Sequence, residues 1–277
     1  MRRSIPLAYE CAIDVGGMPI LIRTESEGFA HLLEDRYGNF VNSTGPRPVF
    51  ELEVELVPPS DIDPDQEVQV RLEEGRWKME RGDFRAEWDT ERRRGWVRQT
   101  ANPYSIDCVL RILHSLILAE EGGFLIHAAS AVKNGRAFIF AGVSGAGKTT
   151  ISRLAPSDVA VLTDEISYVR PGQRGYEAFG TPFAGELARI GANLRAPLAA
   201  VYLLVQGPKN KVEPVSETEA LQAFLRNVLF FAHDPEQVGK VFQYAFDFIS
   251  GVPIYRLTFA PDARVWELIG GDEGAKR

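Results

Sequence analysis

Eight consecutive residues hold three glycines, a lysine and a threonine: Gly142-Val143-Ser144-Gly145-Ala146-Gly147-Lys148-Thr149. The spacing Gly-x-x-x-x-Gly-Lys-Thr suits the cradling of a polyphosphate. Glycine lets the main chain approach phosphate oxygens with no Cβ in the way, and successive N–H groups then converge on the anion. A helix starting near Lys148 adds its positive dipole end. Lys148 would reach the β- and γ-phosphates, and the Thr149 hydroxyl would ligate Mg²⁺. Gly142, Ser144, Gly145, Ala146, Gly147, Lys148, Thr149 and Thr150 are therefore the expected contacts for ATP. Average residue frequencies put a chance match in a chain of this length at about one in a hundred.

Sixteen residues beyond Lys148, the run Asp158-Val159-Ala160-Val161-Leu162-Thr163 ends in the adjacent acids Asp164 and Glu165. An apolar strand that ends this way puts them at a carboxyl edge of a sheet, where α/β sites form. Neighbouring side chains on a strand face opposite ways, so the two acids take different jobs. One would hold a metal while the other accepts a hydroxyl proton, the division that phosphoryl transfer uses. A solvated turn is the competing reading. His127, in Phe124-Leu125-Ile126-His127-Ala128-Ala129, is by its apolar setting a core histidine, or else a proton-transferring or positioning group beside the phosphates. His114 and His233 lack such a setting and are read as structural. Glu186, after Gly180-Thr181-Pro182-Phe183-Ala184-Gly185, would be a further metal or acceptor contact. Arg189, Arg195 and Arg226 are the cations open to a transition-state role.

These groups need a folded frame, and the composition allows one. The 277 residues are 45% hydrophobic and 25% charged, an ordinary globular balance that excludes disorder as the main state. At about 150 residues per domain, two domains are expected. With 31 basic and 38 acidic residues the formal charge is −7, so the surface repels nucleic acid, and an anionic ligand needs a local site. Cys11 and Cys108 stand far apart with no Cys-x-x-Cys or Cys/His cluster, which leaves disulfide and structural zinc unsupported. The start Met1-Arg2-Arg3-Ser4-Ile5-Pro6 lacks an apolar region behind its charges, since Glu10 and Asp14 interrupt. No apolar run approaches the roughly 18 residues of a membrane span. A soluble, cytoplasmic chain without a membrane partner is expected, and self-association stays open.

The first hundred residues read as strands. Phe50 to Val57 alternates apolar and acidic residues, and Pro58-Pro59-Ser60-Asp61 then breaks the pattern. The runs Val68 to Leu72, Trp77 to Glu80, Phe84 to Trp88 and Gly95 to Arg98 suit an antiparallel meander, with Arg92-Arg93-Arg94 as a solvated hairpin tip. From Pro103, Ile106, Val109, Leu110, Leu113, Leu116 and Ile117 form a helical stripe that Gly122-Gly123 stops. Phe124 to Val132 and Ala137 to Ala141 make a hairpin around Asn134-Gly135, followed by a helix from Lys148 to Leu154. Strands at Val159 to Leu162 and Ser167 to Val169, a loop with Gly172, Gly175 and Gly180, and a buried strand at Leu198 to Val205 follow. Ser216 with Glu219, and Asp234 with Gln237 behind Pro235, open two helices. On the second, Val238, Val241, Phe242, Ala245, Phe246 and Ile249 are expected to face the core, with a last strand at Pro253 to Phe259 and a frayed tail from Gly270 to Arg277. The expected architecture is α/β locally and α+β overall: a β-rich accessory domain at 1–102 that recruits the acceptor, then a P-loop catalytic domain at 103–277.

Gly122-Gly123, the His127-Ala128-Ala129 segment, a hairpin, the glycine-rich loop and an acidic pair sixteen residues past its lysine resemble, in this order, the catalytic domain of the HPr kinase/phosphorylase family and its shorter relatives. The resemblance implies a phosphoenolpyruvate carboxykinase-like P-loop fold and transfer of the γ-phosphoryl group of Mg-ATP to a serine hydroxyl. By the same resemblance Asp164 would be the base, Glu165 a metal contact beside Thr149, and His127 a histidine near the phosphates. The family usually carries Asp-Asp at 164–165 and Ser-Glu at 149–150, and its Glu-x-Arg-Gly-apolar-Gly signature is not found here. The expectation is therefore an ATP-dependent serine kinase acting on a peptide or protein. A phosphotransferase for free serine or a hydroxy acid, and a non-catalytic ATP-gated binding module, are the alternatives.

Overall fold

A computed structural model describes residues 9–42, 48–58, 66–185, 187 and 190–271. The chain divides into two compact units, Met1–Leu116 with Phe231–Pro235, and Ile117–Phe230 with Glu236–Arg277. The class is α+β. Among the described residues no helix is long and apolar enough to cross a membrane.

The first unit is a seven-stranded sheet. Its elements are β1 (Tyr9–Val15), β2 (Met18–Thr24), α1 (Glu27–Tyr37), β3 (Phe50–Leu56), β4 (Gln69–Glu73), β5 (Arg76–Arg81), β6 (Phe84–Asp89) and β7 (Arg94–Gln99), followed by α2 (Pro103–Glu121). In β3 the alternation works as expected, with Phe50, Leu52 and Val54 buried and Glu53 and Glu55 exposed. The meander is real from β4 to β7, but the sheet order is β1-β2-β3-β7-β6-β5-β4, and β3 lies parallel to both β2 and β7. The all-strand reading of this region also needs correction. Phe29, Ala30, Leu33 and Tyr37 form the buried stripe of α1, which Ser26 caps by accepting the Phe29 N–H at 3.2 Å. Arg36 and Tyr37, at the end of α1, bond to Asp107 of α2 at 2.5 and 2.6 Å. The expected α2 stripe is buried, and Gly122 at φ +76° lets the chain turn out of the helix. The division between units falls inside α2.

The second unit contains β8 (Phe124–Lys133), β9 (Arg136–Ala141), α3 (Lys148–Arg153), β10 (Ala160–Thr163), β11 (Ile166–Gly172), β12 (Gly175–Phe179), β13 (Arg195–Gln206), β14 (Lys211–Pro214), α4 (Glu217–Asn227), α5 (Pro235–Gly251), β15 (Ile254–Phe259) and α6 (Val265–Leu268). Asn134 and Gly135, both at positive φ, close the β8–β9 hairpin as a two-residue turn demands. The glycine-rich stretch expected as loop holds β12, which pairs with β11 and β13. Strands β9, β13 and β15 run parallel, so their carboxyl ends meet at one edge. Alternation along β9 sends Ile139 and Ala141 into a core with α4 and α5, and Phe138 and Phe140 into a second core with α3 and α6.

Helix α5 departs from its expected orientation. Gln237, Val241, Ala245 and Phe248 are its buried residues, while Val238, Phe242 and Phe246 are about half exposed. Both stripes have helical spacing and both are largely apolar, so periodicity alone could not choose between them. Phe248 decides the matter by stacking on Phe224 and meeting Phe124 edge to face.

Candidate functional site

The glycine-rich turn follows β9 and leads into α3, at the edge where β9, β13 and β15 end. Each parallel strand supports it. Gln206, the last residue of β13, donates from its amide to the Gly145 carbonyl at 2.6 Å. The ring of Phe259, the last residue of β15, lies against Gly147, where an added Cβ would be 2.6 Å from it. Gly147 is at φ +108°, so glycine is required there both by space and by backbone. Gly142 is held as tightly, since a Cβ would lie 2.7 Å from that of Ala146. Lys148 is nearly buried and its ammonium donates to the Gly142 carbonyl at 2.9 Å. Thr149 and Thr150 are half-buried on the first turn of α3, and Ser144 and Gly145 are exposed. Trp266 of α6 braces that helix by donating to the Ile151 carbonyl.

The acids sit beside a change of partner in β8. Residues Phe124 to His127 pair with β11, and from Ala128 onward β8 pairs with β9 and, further along, with β10. Asp164 and Glu165 directly follow β10, as the apolar run ending in two acids implies, and form the two-residue link to β11. Thr163 Oγ1 accepts the N–H groups of Glu165 and Ile166, and the Glu165 carbonyl accepts that of Ala128.

The two carboxylates have different surroundings. Asp164 is buried at 4% exposure and accepts the backbone N–H groups of Gly185 and Leu187 at 3.1 and 2.9 Å. Glu165 is about one-third exposed and places Oε1 3.8 Å from Nε2 of His127. Gly185 packs on both, since a Cβ there would be 2.8 Å from Glu165 Oε2 and 3.0 Å from Asp164 Oδ2. His127 has the parity of Ala129 and Ala131 on β8, which face α3. Burial pushes its pKa down, the Lys148 ammonium pushes the same way, and Glu165 opposes them. His127, Lys148 and Glu165 are therefore electrostatic neighbours, which makes His127 part of this cluster rather than an isolated core histidine.

His114 is buried and His233 exposed. Arg195 begins β13 and Arg226 stands in the last turn of α4, both exposed. Glu186 and Arg189 lie outside the described residues, as do Met1 to Pro6, Pro59 to Asp61 and the tail beyond Gly271. Sequence reasoning missed Gln206, Phe259 and the main-chain donors of Gly185 and Leu187. An amide closing an apolar strand was the one trace of Gln206. Backbone donors carry no residue-type signal.

Fold and site together define an α+β protein with a glycine-rich turn at the carboxyl ends of parallel strands and a histidine–carboxylate pair near its lysine. The chain belongs to the SynChlorMet cassette protein ScmC family, whose family model matches residues 104–271. This corrects the resemblance drawn from the motifs: the matching family is ScmC, not HPr kinase/phosphorylase. Short motifs in a fixed order occupy few positions, and different families can share them on related frames. No curated protein was found to match the chain.

Proposed function

We propose that the second unit is a P-loop frame of the phosphoenolpyruvate carboxykinase-like type, and that the protein transfers the γ-phosphoryl group of ATP to a serine hydroxyl of a peptide or protein. The observation that carries this is the meeting of Lys148, at the start of α3, with His127 and Glu165 around a turn whose Gly142 and Gly147 admit no side chain. Lys148 neutralises β- and γ-phosphate charge, and the turn's N–H groups hold the phosphate oxygens. Asp164 accepts the serine proton as the serine oxygen bonds to the γ-phosphorus, the bond to the bridging oxygen breaks, and ADP leaves. Two backbone N–H groups already occupy Asp164, yet a carboxylate has about four acceptor positions, so about two remain, enough to take a hydroxyl.

Magnesium, when bound, would withdraw charge from the transferring group. Glu165 and Thr149 are the residues that would hold it. A part-exposed carboxylate and a hydroxyl suit a hard cation that keeps several waters.

Calorimetry with Mg-ATP tests the first half of the proposal. Uptake is expected in the natural protein, with at least a tenfold loss in Lys148→Met. Transfer of labelled γ-phosphate to serine peptides should fall about 10²- to 10⁴-fold in Asp164→Asn, with ATP affinity kept. Absence of ATP uptake, or undiminished transfer by Asp164→Asn, overturns the mechanism. The double engagement of Asp164 by Gly185 and Leu187 favours one second reading, an ATP-gated binding module. That reading predicts nucleotide-dependent partner retention without phosphoproduct.

A further inference from the structure

One cavity of the second unit has no part in the glycine-rich turn. About 440 Å³ in volume, it is walled by Val159, Val161 and Ile190 and bounded by Arg153, Thr163 and Asp164. Its size falls in the range of about 300–1,000 Å³ that encloses drug-sized ligands, and free serine would leave most of it empty. Many arginines here, among them Arg81, Arg170 and Arg256, already face a carboxylate. Arg153, exposed at the end of α3, forms no ion pair among the described residues. The cavity thus joins three chemistries: a buried carboxylate at one boundary, apolar walls, and an exposed cation.

We propose that this cavity is the acceptor subsite, and that it takes a peptide segment whose serine is flanked by an apolar residue and an acidic one. The inference rests on the phosphotransfer reading, because a base must face its acceptor and Asp164 lines this open space. The apolar neighbour fills the space against Val159, Val161 and Ile190. The acidic neighbour pairs with Arg153. A cation with no ion pair among the described residues, in a chain of net charge −7, selects an acidic segment over a basic one, which the rest of the surface would otherwise repel less.

The test uses fluorescein-labelled serine peptides with Leu/Glu, Leu/Lys and Gly/Glu flanks, plus free serine and a hydroxy acid. Binding is read by anisotropy with Mg²⁺ and a non-hydrolysable ATP analogue, and transfer by labelled γ-phosphate. The Leu/Glu peptide should bind best. Arg153→Gln should weaken it about two- to fivefold, within the range of an exposed ion pair, and Arg153→Glu about tenfold while improving the Leu/Lys peptide. ATP affinity should be unchanged in both variants, which also reports that they are folded. Transfer without flank preference, or with the same preference in Arg153→Glu, overturns the subsite and leaves the kinase reading standing. Transfer to free serine alone overturns the subsite and also the peptide or protein acceptor of the proposed function. Selective, Arg153-dependent binding without transfer upholds a peptide site in this cavity and overturns both the kinase and the cavity's role as acceptor subsite. Neither binding nor transfer overturns both.

Discussion

His127 sits where burial, a cation and a carboxylate act together, and the first two hold its pKa below the ordinary value of 6.5. It is neutral at neutral pH and can accept a proton. As pH falls below 6.5 the unfolded chain binds this proton first, so stability declines with acidification until the folded-state pKa is passed. Removing the neighbouring cation in Lys148→Met should raise the His127 pKa, and Glu165→Gln should lower it further; an NMR titration of the imidazole reads both. Equal values in all three proteins would separate His127 from the cluster. Cys11 responds to its surroundings in the same way, with burial, then Glu34, pushing its pKa up to about 11. Burial also raises that of Cys108. Alkylation of both thiols at neutral pH should therefore be slow in the folded protein and complete in urea.

Two elements show how far periodicity reaches. The turn before α3 was legible because its glycines, lysine and hydroxyl stand at a fixed motif spacing, and its flanking strand and helix are where that spacing implies. Gly147→Ala should fold poorly or lose nucleotide affinity, since the change adds both positive-φ strain and a clash with Phe259. Combining it with Phe259→Leu relieves only the clash, so recovery should be partial in thermal melts. Helix α5 is the opposite case, with an apolar stripe facing solvent beside the stripe that is buried. Phe242→Ser should change stability by no more than about 0.5 kcal/mol, and Phe248→Ala should cost about 3–5 kcal/mol in urea unfolding. Equal costs would mean that both faces are covered in solution. Helix α1 was illegible for another reason: its stripe is short and lies among strand-forming segments.

For the whole chain, the two units share a helix in sequence. The larger part of α2, Pro103 to Leu116, belongs to the first unit, and its Ile106, Val109, Leu110 and Leu113 are buried. A fragment beginning at residue 103 carries these side chains without the rest of their unit. It should bind a hydrophobic dye and elute as aggregate in size-exclusion chromatography, whereas the full chain should do neither. A monodisperse fragment would show that α2 is supported by the second unit alone. The −7 charge also belongs to this scale, because it disfavours polyanions except where a local cation such as Lys148 compensates.

By itself the sequence determined the α+β class, the hairpin at Asn134-Gly135, the ends of α2 and the position of the glycine-rich turn. Each of these is set by residues adjacent or a few positions apart, through φ preference, capping or hydrophobic period. Tertiary structure alone decided that β9, β13 and β15 bring their ends together, that Gln206 and Phe259 brace the turn, and that Asp164 is engaged by the main chain of a distant loop. It also decided which face of α5 is buried. Such facts depend on which surfaces meet after the chain folds, and contacts between residues tens of positions apart leave no local pattern to read.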